Sequence, residues 1–460
     1  MLGRTKAIHC VGVGGSGVGA IAEVLLRLGY TVSGSDTQPS PMTERLAGLG
    51  LVFHAGHDRM HVGAVDVVVI SSAVGATNVE VIEARRRGIP VILRADMLAE
   101  IMRPRFSIAV GGAHGKTTTS SMIAVMLVHA GLDPTALIGA HVPAFGSNAR
   151  LGTSEYLVAE ADESDRSFLR LMASMTVVTN IDYEHLDRYE GFADLTDAFV
   201  SFANKAPFYG AAVLCTDDER VRAMVPRVTS PVVTCAIDRE DAQLGVRDAQ
   251  LSAGGSRATV VQRRGGREET LGQLSLAVPG RHNLQNGLAA VAVGLQLGVP
   301  FGTAAEGLAS FAGAERRFER KGIAAGVEVF DDYAHHPTEI EAVLRAARTE
   351  RTGRIIVAFQ PHRYSRTRQL REGFGPALAL ADAIVLTGIY GAGEAPVPGV
   401  TIEWLAEAVA AAAPGRVDVV PDLADVPAAV AGIARSGDLV ITMGAGSIGD
   451  CGARILQELR

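Results

Sequence analysis

Short runs of β-branched residues alternate along this chain with longer runs that are rich in alanine and leucine and have helical spacing. The short runs include 7–11, 66–70, 106–110, 156–159, 176–179, 355–359, 383–386 and 439–443. This alternation is typical of parallel sheets that are flanked by helices. Most of these runs are followed by Gly, Ser, Asn or His, where a doubly wound sheet has its ligand-binding loops. The sequence therefore predicts an α/β fold with ligand sites at the sheet edges.

The length of 460 residues and two breaks in this pattern predict three domains. The Arg-Pro-Arg run at 103–105 precedes a strand that opens a new glycine-rich loop, and the segment 311–322 separates a helical stretch from a fresh strand. The polar segment 235–278 predicts a small antiparallel excursion within the middle domain. The expected domains are 1–103, 104–315 and 316–460.

Composition excludes several classes of protein. Lys and Arg number 43 and Asp and Glu number 50, and the resulting net charge of −7 excludes a generally basic nucleic-acid binder. The four cysteines are far apart and none lies in a CxxC pair, which is typical of a reducing compartment. There is no signal peptide pattern and no apolar run of about 18 residues. We therefore expect a cytoplasmic protein that does not engage membranes.

The first glycine-rich turn lies between the strand 7–11 and a helical run. Gly12, Gly14 and Gly17 fit the GxGxxG pattern, which permits a tight turn and close approach of the backbone to a phosphate. Asp36 ends the next strand, where an acid can accept hydrogen bonds from ribose hydroxyls. From these residues alone the turn indicates NAD, and the pyrophosphate of a UDP-sugar fits it equally well; a turn that binds nothing is the weaker alternative.

A second glycine-rich loop, GGAHGKTTT at 111–119, has the strand-loop-helix context of a P-loop. The backbone N–H groups of such a loop hold phosphates, Lys116 would reach the β- and γ-phosphates, and a threonine hydroxyl would bind Mg²⁺. The usual pattern has a glycine six residues before the lysine, whereas this chain has Val110 there. The sequence thus predicts a site for a nucleoside triphosphate, in a loop that is one residue shorter than the usual P-loop pattern.

Polar residues follow two later strands of the same predicted sheet. Glu160 follows the run 156–159, and His185 follows the run 176–179. If these strands lie in the P-loop sheet, a carboxylate and an imidazole can hold a divalent metal against the phosphates. The other acids of these loops are more simply interpreted as solvated.

Four loops follow predicted strands in the last third of the chain, at 331–339, 360–366, 390–394 and 444–447. Arg363 and Arg366 lie three residues apart and suit a carboxylate or a phosphate. His335 and His336 are adjacent, so their side chains diverge and a shared metal is the weaker interpretation. Because all four loops leave strand C-termini, the pattern favours one shared site.

Taken together and in order, these motifs resemble the ATP-dependent Mur ligase family over essentially the whole chain. The matching blocks are GVGGSGVGAIA (12–22), GGAHGKTTT (111–119), EADESDRSF (160–168), NIDYEHLD (180–187), PGRHNLQNGLAA (279–290), RRF (316–318), DDYAHHPTE (331–339), FQPHRYSRT (359–367) and YGAGE (390–394). Within the family the chain is most similar to the branch that adds L-alanine to UDP-N-acetylmuramate. The branch that attaches whole murein peptides is the nearest alternative.

The resemblance implies a Rossmann-like UDP-sugar-binding domain, a central P-loop ATPase-like domain and a Rossmann-like amino-acid-binding domain, in that order. It implies formation of an amide through an acyl phosphate, with release of ADP and phosphate, in peptidoglycan synthesis. The implied cofactors are ATP and Mg²⁺ or Mn²⁺, and the implied partners are UDP-N-acetylmuramate and L-alanine. We expect a monomer or a weak homodimer.

The resemblance also implies roles for individual residues. The catalytic residues would be Lys116, Glu160, His185 and His335, with His335 assisting loss of the amine proton. The ATP site would comprise Gly112, Ala113, His114, Gly115, Lys116, Thr117, Thr118, His282, Asn286, Arg317 and Asp332. The UDP substrate would contact Gly12, Gly14, Gly15, Ser16, Gly17, Asp36, His57 and Ser71. Alanine would contact Tyr333, His335, Arg363 and Arg366, and the metal would contact Thr117, Glu160 and His185.

The chain departs from the family pattern at two positions. Several sister ligases carry a carbamylated lysine after the histidine of the metal loop, but no lysine lies between His185 and Lys205 here. A water or another acid completes the second metal site, or that site is weaker. The other departure is Glu184, where the family often has aspartate.

Two hypotheses from other classes stay open on the residues alone. An NAD-dependent oxidoreductase would explain the first glycine turn and Asp36, but it leaves the P-loop unexplained. A nucleotide-gated binding or regulatory protein would explain the P-loop, but it leaves the histidine and arginine loops of the last third unused.

Overall fold

The computed structural model of the chain describes residues 2–184, 188–349 and 351–460. Its strands form three sheets of five, ten and six strands, and α-helices connect many of the parallel strands. The predicted α/β fold is therefore confirmed. Within the described residues, no helix is both long enough and apolar enough to cross a membrane.

The first sheet is entirely parallel and has the strand order β3-β2-β1-β4-β5. Its strands are β1 Ala7–Val11, β2 Thr31–Asp36, β3 Val52–Ala55, β4 Val67–Ile70 and β5 Val91–Leu93. Its helices are α1 Ser16–Arg27, α2 Pro41–Gly48, α3 Val79–Arg86 and α4 Arg94–Met102. The chain adds β2 and β3 on one side of β1 and then β4 and β5 on the other side. The loops after β1 and β4 open at this switch point in strand order, which is the usual position of a ligand site.

The second sheet has the order β15-β14-β13-β12-β11-β10-β6-β9-β7-β8. Its strands are β6 Phe106–Gly111, β7 Thr135–Val142, β8 Ser147–Arg150, β9 Tyr156–Glu160, β10 Met175–Val178, β11 Ala211–Cys215, β12 Val232–Ala236, β13 Leu244–Ser252, β14 Gly255–Arg264 and β15 Arg267–Leu276. Its helices are α5 Lys116–His129, α6 Phe192–Ala203, α7 Glu219–Met224, α8 Arg281–Gln296 and α9 Phe301–Ala309. Two-residue turns join β13 to β14 and β14 to β15, as in antiparallel hairpins, so the predicted excursion is present.

The third sheet has the order β16-β17-β21-β18-β19-β20, and only the edge strand β16 is antiparallel to its neighbour. Its strands are β16 Glu319–Ala324, β17 Val327–Asp332, β18 Ile355–Phe359, β19 Ala383–Leu386, β20 Val417–Val419 and β21 Leu439–Met443. Its helices are α10 Pro337–Arg348, α11 Tyr364–Gln369, α12 Arg371–Leu378, α13 Ile402–Ala412, α14 Val426–Ile433 and α15 Cys451–Glu458. The central strands β18 and β21 are buried along their whole length, since helices cover both faces.

The chain divides into two compact units. The first unit holds the first sheet and most of the second, and it comprises Met1–Ala249, Ala258–Leu276 and Gln285–Ala312. The second unit holds the third sheet and comprises Gln250–Arg257, Ala277–Leu284 and Gly313–Arg460. The three domain boundaries expected from the sequence stay a prediction.

Within the first unit, polar contacts join helix α1 to strand β8. The carboxylate of Glu23 is buried on α1, where it accepts hydrogen bonds from Arg45 and from the Ser147 hydroxyl, the latter at 2.9 Å. The Asn148 amide donates to the carbonyl of Ser16 at 2.9 Å. Since Ser16 begins α1, these contacts fix the helix that follows the first glycine turn against the second sheet.

Candidate active site

The first glycine turn is held by the end of strand β2. The N–H groups of Gly12 and Val13 donate to the carbonyl of Ser35 at 2.8 and 3.0 Å, and the N–H of Gly14 donates to Asp36 Oδ2 at 2.8 Å. Gly12 has a φ of +79°, which glycine adopts without steric cost. One oxygen of Asp36 is thus engaged by the turn itself. The predicted residues of this turn lie in it or at the start of α1: Gly12, Gly14, Gly15, Ser16 and Gly17.

Two side chains border this turn from neighbouring strands. The Ser71 hydroxyl, after β4, lies 3.8 Å from the position that a Cβ on Gly12 would occupy. A Cβ on Gly17 would lie 2.5 Å from Nη1 of Arg94, so a larger residue there would displace that guanidinium. Arg94 Nη2 also donates to Asp162 Oδ2 at 3.1 Å. The sequence analysis missed Arg94, although its position directly after β5 marks it as a residue of this sheet edge.

The second glycine loop is braced by residues that follow β10. Gly112 has a φ of +137°, and a Cβ there would lie 2.0 Å from Thr179 Oγ1. The N–H of Ala113 donates to the Asn180 carbonyl at 3.1 Å, and the N–H of His114 donates to Asn180 Oδ1 at 2.8 Å. The Thr179 hydroxyl donates to the His114 carbonyl at 2.6 Å. These hydrogen bonds fix the shape of the loop.

Helix α8 brings a predicted nucleotide contact to this loop. Gly115 has a φ of +82°, and a Cβ there would lie 2.7 Å from Oδ1 of Asn286. His282 lies one turn earlier on the same helix. Burial and the nearby Arg317 lower the pKa of His282 to about 4, so its ring is neutral near pH 7.

Lys116 is the first residue of α5, and its ammonium group has three acceptors within the first unit. Nζ donates to the carbonyls of Gly112 and Ala113 at 2.7 and 3.0 Å and to Glu163 Oε1 at 2.9 Å. Burial disfavours its charge, but Glu163 and the other nearby acids outweigh that effect and raise the pKa of Lys116. The second oxygen of Glu163, Oε2, is buried and has no hydrogen-bond partner among the described residues. Burial raises the pKa of Glu163 to about 7, although Lys116 opposes the rise.

This pair predicts a pH-dependent affinity for nucleotide. A phosphate that binds Lys116 adds negative charge beside Glu163, which favours proton uptake there, so affinity rises as pH falls toward about 7 and levels off below it, where Glu163 is protonated before binding. We expect ADP to bind up to about tenfold more tightly at pH 7 than at pH 8. Glu163→Gln should bind ADP more tightly at pH 8 and should show only the titration of ADP itself. Calorimetry on both proteins measures this, and equal slopes would contradict the prediction.

Glu160 and Thr117 form the part of the predicted metal site that the structure describes. The Thr117 hydroxyl lies 3.1 and 3.0 Å from the two carboxylate oxygens of Glu160, and the N–H of Gly139 donates to Glu160 Oε2 at 2.8 Å. Both are oxygen donors, which suit Mg²⁺. Thr118 is buried in the same turn of α5. His185 lies outside the described residues.

In the second unit, β17 ends at the predicted phosphate and ribose contacts. Asp332 accepts the N–H groups of Phe318 and Ala334, both at 2.7 Å. Burial raises the pKa of Asp332 to about 6, and Arg317 opposes the rise. The guanidinium of Arg317 lies 5.1 Å from the centre of the Tyr333 ring, in a cation–π contact.

The loops after β17 and β18 bring the predicted alanine contacts together. His335 Nδ1 lies 2.9 Å from the carbonyl of Tyr333, and since a carbonyl only accepts, the proton is on Nδ1. The rings of His335 and His362 are 5.6 Å apart, and His362 stacks on Tyr390 at 5.7 Å. Arg366 Nη1 lies 3.0 Å from His362 Nδ1. The loops after β17, β18 and β19 thus meet in one place, as their strand positions indicated.

Arg363 has an unusual backbone within this cluster. Its φ is +68°, which is strained for a residue other than glycine, and its N–H donates to the carbonyl of Tyr390 at 2.7 Å. Its carbonyl accepts the Thr367 hydroxyl at 2.7 Å. Its Nε is buried and has no hydrogen-bond partner among the described residues. A guanidinium with a buried, unused Nε donor, held on a strained backbone, is suited to an anionic ligand.

Three protein-family models match the chain in succession. Residues 7–106 match the model described as Mur ligase family, catalytic domain, and residues 110–294 match Mur ligase middle domain. Residues 316–446 match Mur ligase, glutamate ligase domain.

Curated relatives and solved structures agree with these matches. A UDP-N-acetylmuramate–L-alanine ligase from Solidesulfovibrio magneticus is 50% identical over 100% of both chains, and one from Anaeromyxobacter dehalogenans is 50% identical over 99% of this chain and 98% of its own. The structure of UDP-N-acetylmuramate-alanine ligase from Thermotoga maritima is 27% identical over 99% of both chains, with a TM-score of 0.83. A murein peptide ligase from Psychrobacter arcticus is 26% identical over 99% of this chain and 98% of its own, with a TM-score of 0.73. With half of its residues shared over its full length, this chain is a member of the Mur ligase family.

Proposed function

We propose that this chain is an ATP-dependent ligase that joins L-alanine to the carboxylate of UDP-N-acetylmuramate. The observation that carries the proposal is the full-length identity of 50% to relatives of that activity, together with a P-loop whose lysine pairs with the buried Glu163. The sheet edge with the first glycine turn would bind the uridine nucleotide. The P-loop would bind ATP, and the cluster around Arg363 would bind alanine.

The chemistry explains why a charged, enclosed site is needed. A carboxylate is a poor electrophile, so transfer of the γ-phosphoryl group of ATP to it gives an acyl phosphate that an amine can attack. Two anions must meet for this transfer, and Lys116 would offset their repulsion. When Mg²⁺ is bound, Glu160 and Thr117 would hold it, and it would supply further positive charge. His114 and Asn286 would contact the remaining parts of the nucleotide.

The residues of the second unit would bind and orient alanine. Arg363 and Arg366 would hold its carboxylate, since guanidinium groups bind carboxylates through charge-assisted hydrogen bonds. His335 carries its proton on Nδ1, so a neutral ring has its lone pair on Nε2 and can take a proton from the amine. The attack expels phosphate and leaves the amide.

The nearest alternative is the ligase that attaches a murein peptide to the same nucleotide. The two solved structures differ in their similarity to this chain, with a TM-score of 0.83 for the alanine ligase and 0.73 for the murein peptide ligase. That difference favours the single amino acid as substrate.

The test measures phosphate release from ATP in the presence of Mg²⁺, with UDP-N-acetylmuramate and L-alanine each supplied or omitted. Release that requires both, with a product heavier by one alanine residue, supports the proposal. Release with a murein tripeptide but not with alanine would assign the chain to the peptide-attaching branch. Absence of release with either would favour a binding protein.

Arg366→Ala should raise the KM for alanine more than the KM for ATP. A charge-assisted contact is typically worth about 1.5–3 kcal/mol, which corresponds to roughly 10- to 150-fold. Arg368→Ala is the matched control, because Arg368 is exposed on the same helix α11. Initial-rate kinetics measures both constants. Equal changes for the two substrates would mean that Arg366 does not hold the amino acid.

A further inference from the structure

The segment YGAGE at 390–394 ends in an acid, Glu394, that none of the roles proposed above uses. The segment follows strand β19 and pairs with the loop after β18. The N–H of Tyr390 donates to the carbonyl of Pro361 at 2.8 Å, and the N–H of Arg363 donates to the carbonyl of Tyr390 at 2.7 Å. These bonds continue the pairing of β18 with β19 beyond the ends of the two strands.

A turn within this segment brings Glu394 to the start of helix α11. The N–H of Glu394 donates to the carbonyl of Gly391 at 2.9 Å, which closes the turn. The carboxylate of Glu394 accepts two hydrogen bonds from Ser365, the second residue of α11. The N–H of Ser365 donates to Oε2 at 3.0 Å, and its hydroxyl donates to Oε1 at 2.6 Å. Both oxygens of this carboxylate are therefore engaged by the first turn of the helix.

Helix α11 needs this carboxylate because it has no cap of its own. The first N–H groups of a helix have no partner within the helix, and the side chain of the preceding residue usually accepts one of them. That residue here is Arg363, whose side chain has only donors. Partial burial disfavours ionisation of Glu394, but hydrogen bonds from Ser365 and the charge of Arg363 lower its pKa. Glu394 thus supplies a charged acceptor near pH 7, from 29 residues beyond Ser365.

The residue that Glu394 holds lies between the two arginines of the proposed alanine site. Arg363 lies two residues before Ser365, and Arg366 follows Ser365 directly. Arg363 has a φ of +68°, which a residue other than glycine keeps only when its surroundings enforce it. The bond to Tyr390 fixes the N–H of Arg363, and the bonds to Glu394 fix the chain that follows. Without the carboxylate this turn would relax, and both guanidinium groups would move with it.

We propose that Glu394 is a positioning residue that fixes the first turn of α11, so that Arg363 and Arg366 are aligned to bind the carboxylate of the incoming amino acid. Glu394 itself does not contact the amino acid, so its effect depends on the carboxylate that the arginines bind. The proposal rests on the proposed function, in which alanine is the substrate of these arginines. It adds the residue that sets their geometry.

The first test compares L-alanine with L-alaninamide, in which an uncharged amide replaces the carboxylate. Glu394→Gln keeps the size of the side chain but removes its charge and one acceptor. In the full chain it should raise the KM for L-alanine about tenfold, with little change in kcat or in the KM for ATP and for L-alaninamide. An equal rise for the two amines would indicate general damage to the site and would overturn the inference. An unchanged or lower KM for L-alanine would overturn it as well.

The second test is a double-mutant cycle that needs only L-alanine. In the Arg366→Ala background, Glu394→Gln should raise the KM for L-alanine by about threefold or less, because one of the two groups that it aligns is absent. The same rise in both backgrounds would mean that Glu394 does not act through Arg366, and the inference would fail.

Two further variants complete the comparison. Glu372→Gln is the matched control, because Glu372 is exposed on α12 and pairs with Arg371 at 3.1 Å, and its kinetic constants should equal those of the wild type. Ser365→Ala removes only the hydroxyl donor and should raise the KM for L-alanine about threefold. An unchanged KM in Ser365→Ala would contradict the inference, so the question is decided even if Glu394→Gln does not fold. A wild-type chain that does not use L-alanine would instead contradict the proposed function.

Discussion

Lys116→Ala is expected to lower the rate of ligation by roughly 10³-fold, the upper end of the cost of removing one donor from a preorganised anion site. The ammonium group is 16% exposed, so solvent screens it little, and it is the cation nearest to the phosphates in the proposed complex. The first glycine turn does not contact Lys116, so binding of the UDP substrate should persist. Steady-state kinetics and calorimetry with UDP-N-acetylmuramate measure the two effects.

The control for this change is Lys6→Ala, which removes an exposed lysine of the same unit. Both variants should keep a cooperative thermal transition. The truncation leaves Glu163 buried without its cation, but a carboxyl with a pKa of about 7 can bind a proton and become neutral. Unchanged turnover in Lys116→Ala would rule out the P-loop assignment.

Glu160→Gln is expected to raise the Mg²⁺ concentration needed for half-maximal activity by about 10². The substitution keeps the size of the side chain but removes the charge that attracts the cation. A second readout does not depend on turnover: binding of Mn²⁺, followed by electron paramagnetic resonance, should weaken in parallel.

Glu155→Gln is the matched control for this variant, because Glu155 is exposed just before the other end of strand β9. Its Mn²⁺ binding should equal that of the wild type. If Glu160→Gln also bound Mn²⁺ as the wild type does, Glu160 would not be a metal ligand.

Much of the fold could be predicted from the sequence, because buried parallel strands are continuous apolar runs that end at polar or glycine residues. The predicted strands at 7–11, 355–359, 383–386 and 439–443 have the observed bounds. In each of them local composition and burial agree, since a strand covered on both faces is mostly apolar; His9 in β1 and Thr442 in β21 are buried polar exceptions.

The partners of the site residues could not be predicted in the same way. Glu163 is 47 residues from Lys116, and Asp162 is 68 residues from Arg94. Such pairs depend on which strands become neighbours, and an acidic side chain in a loop has no local feature that separates it from a solvated one. The positive φ of Arg363 is equally a product of the tertiary contacts of its loop.

The strand pair β7 and β8 contacts both ends of the first unit's candidate site. On β8, Ser147 and Asn148 bind α1, the helix that follows the first glycine turn. On β7, the N–H of Gly139 binds the carboxylate of Glu160. This two-stranded ribbon thus fixes the distance between the proposed sugar-nucleotide site and the proposed metal site. A substrate that reaches from one site to the other must have a length that matches this distance.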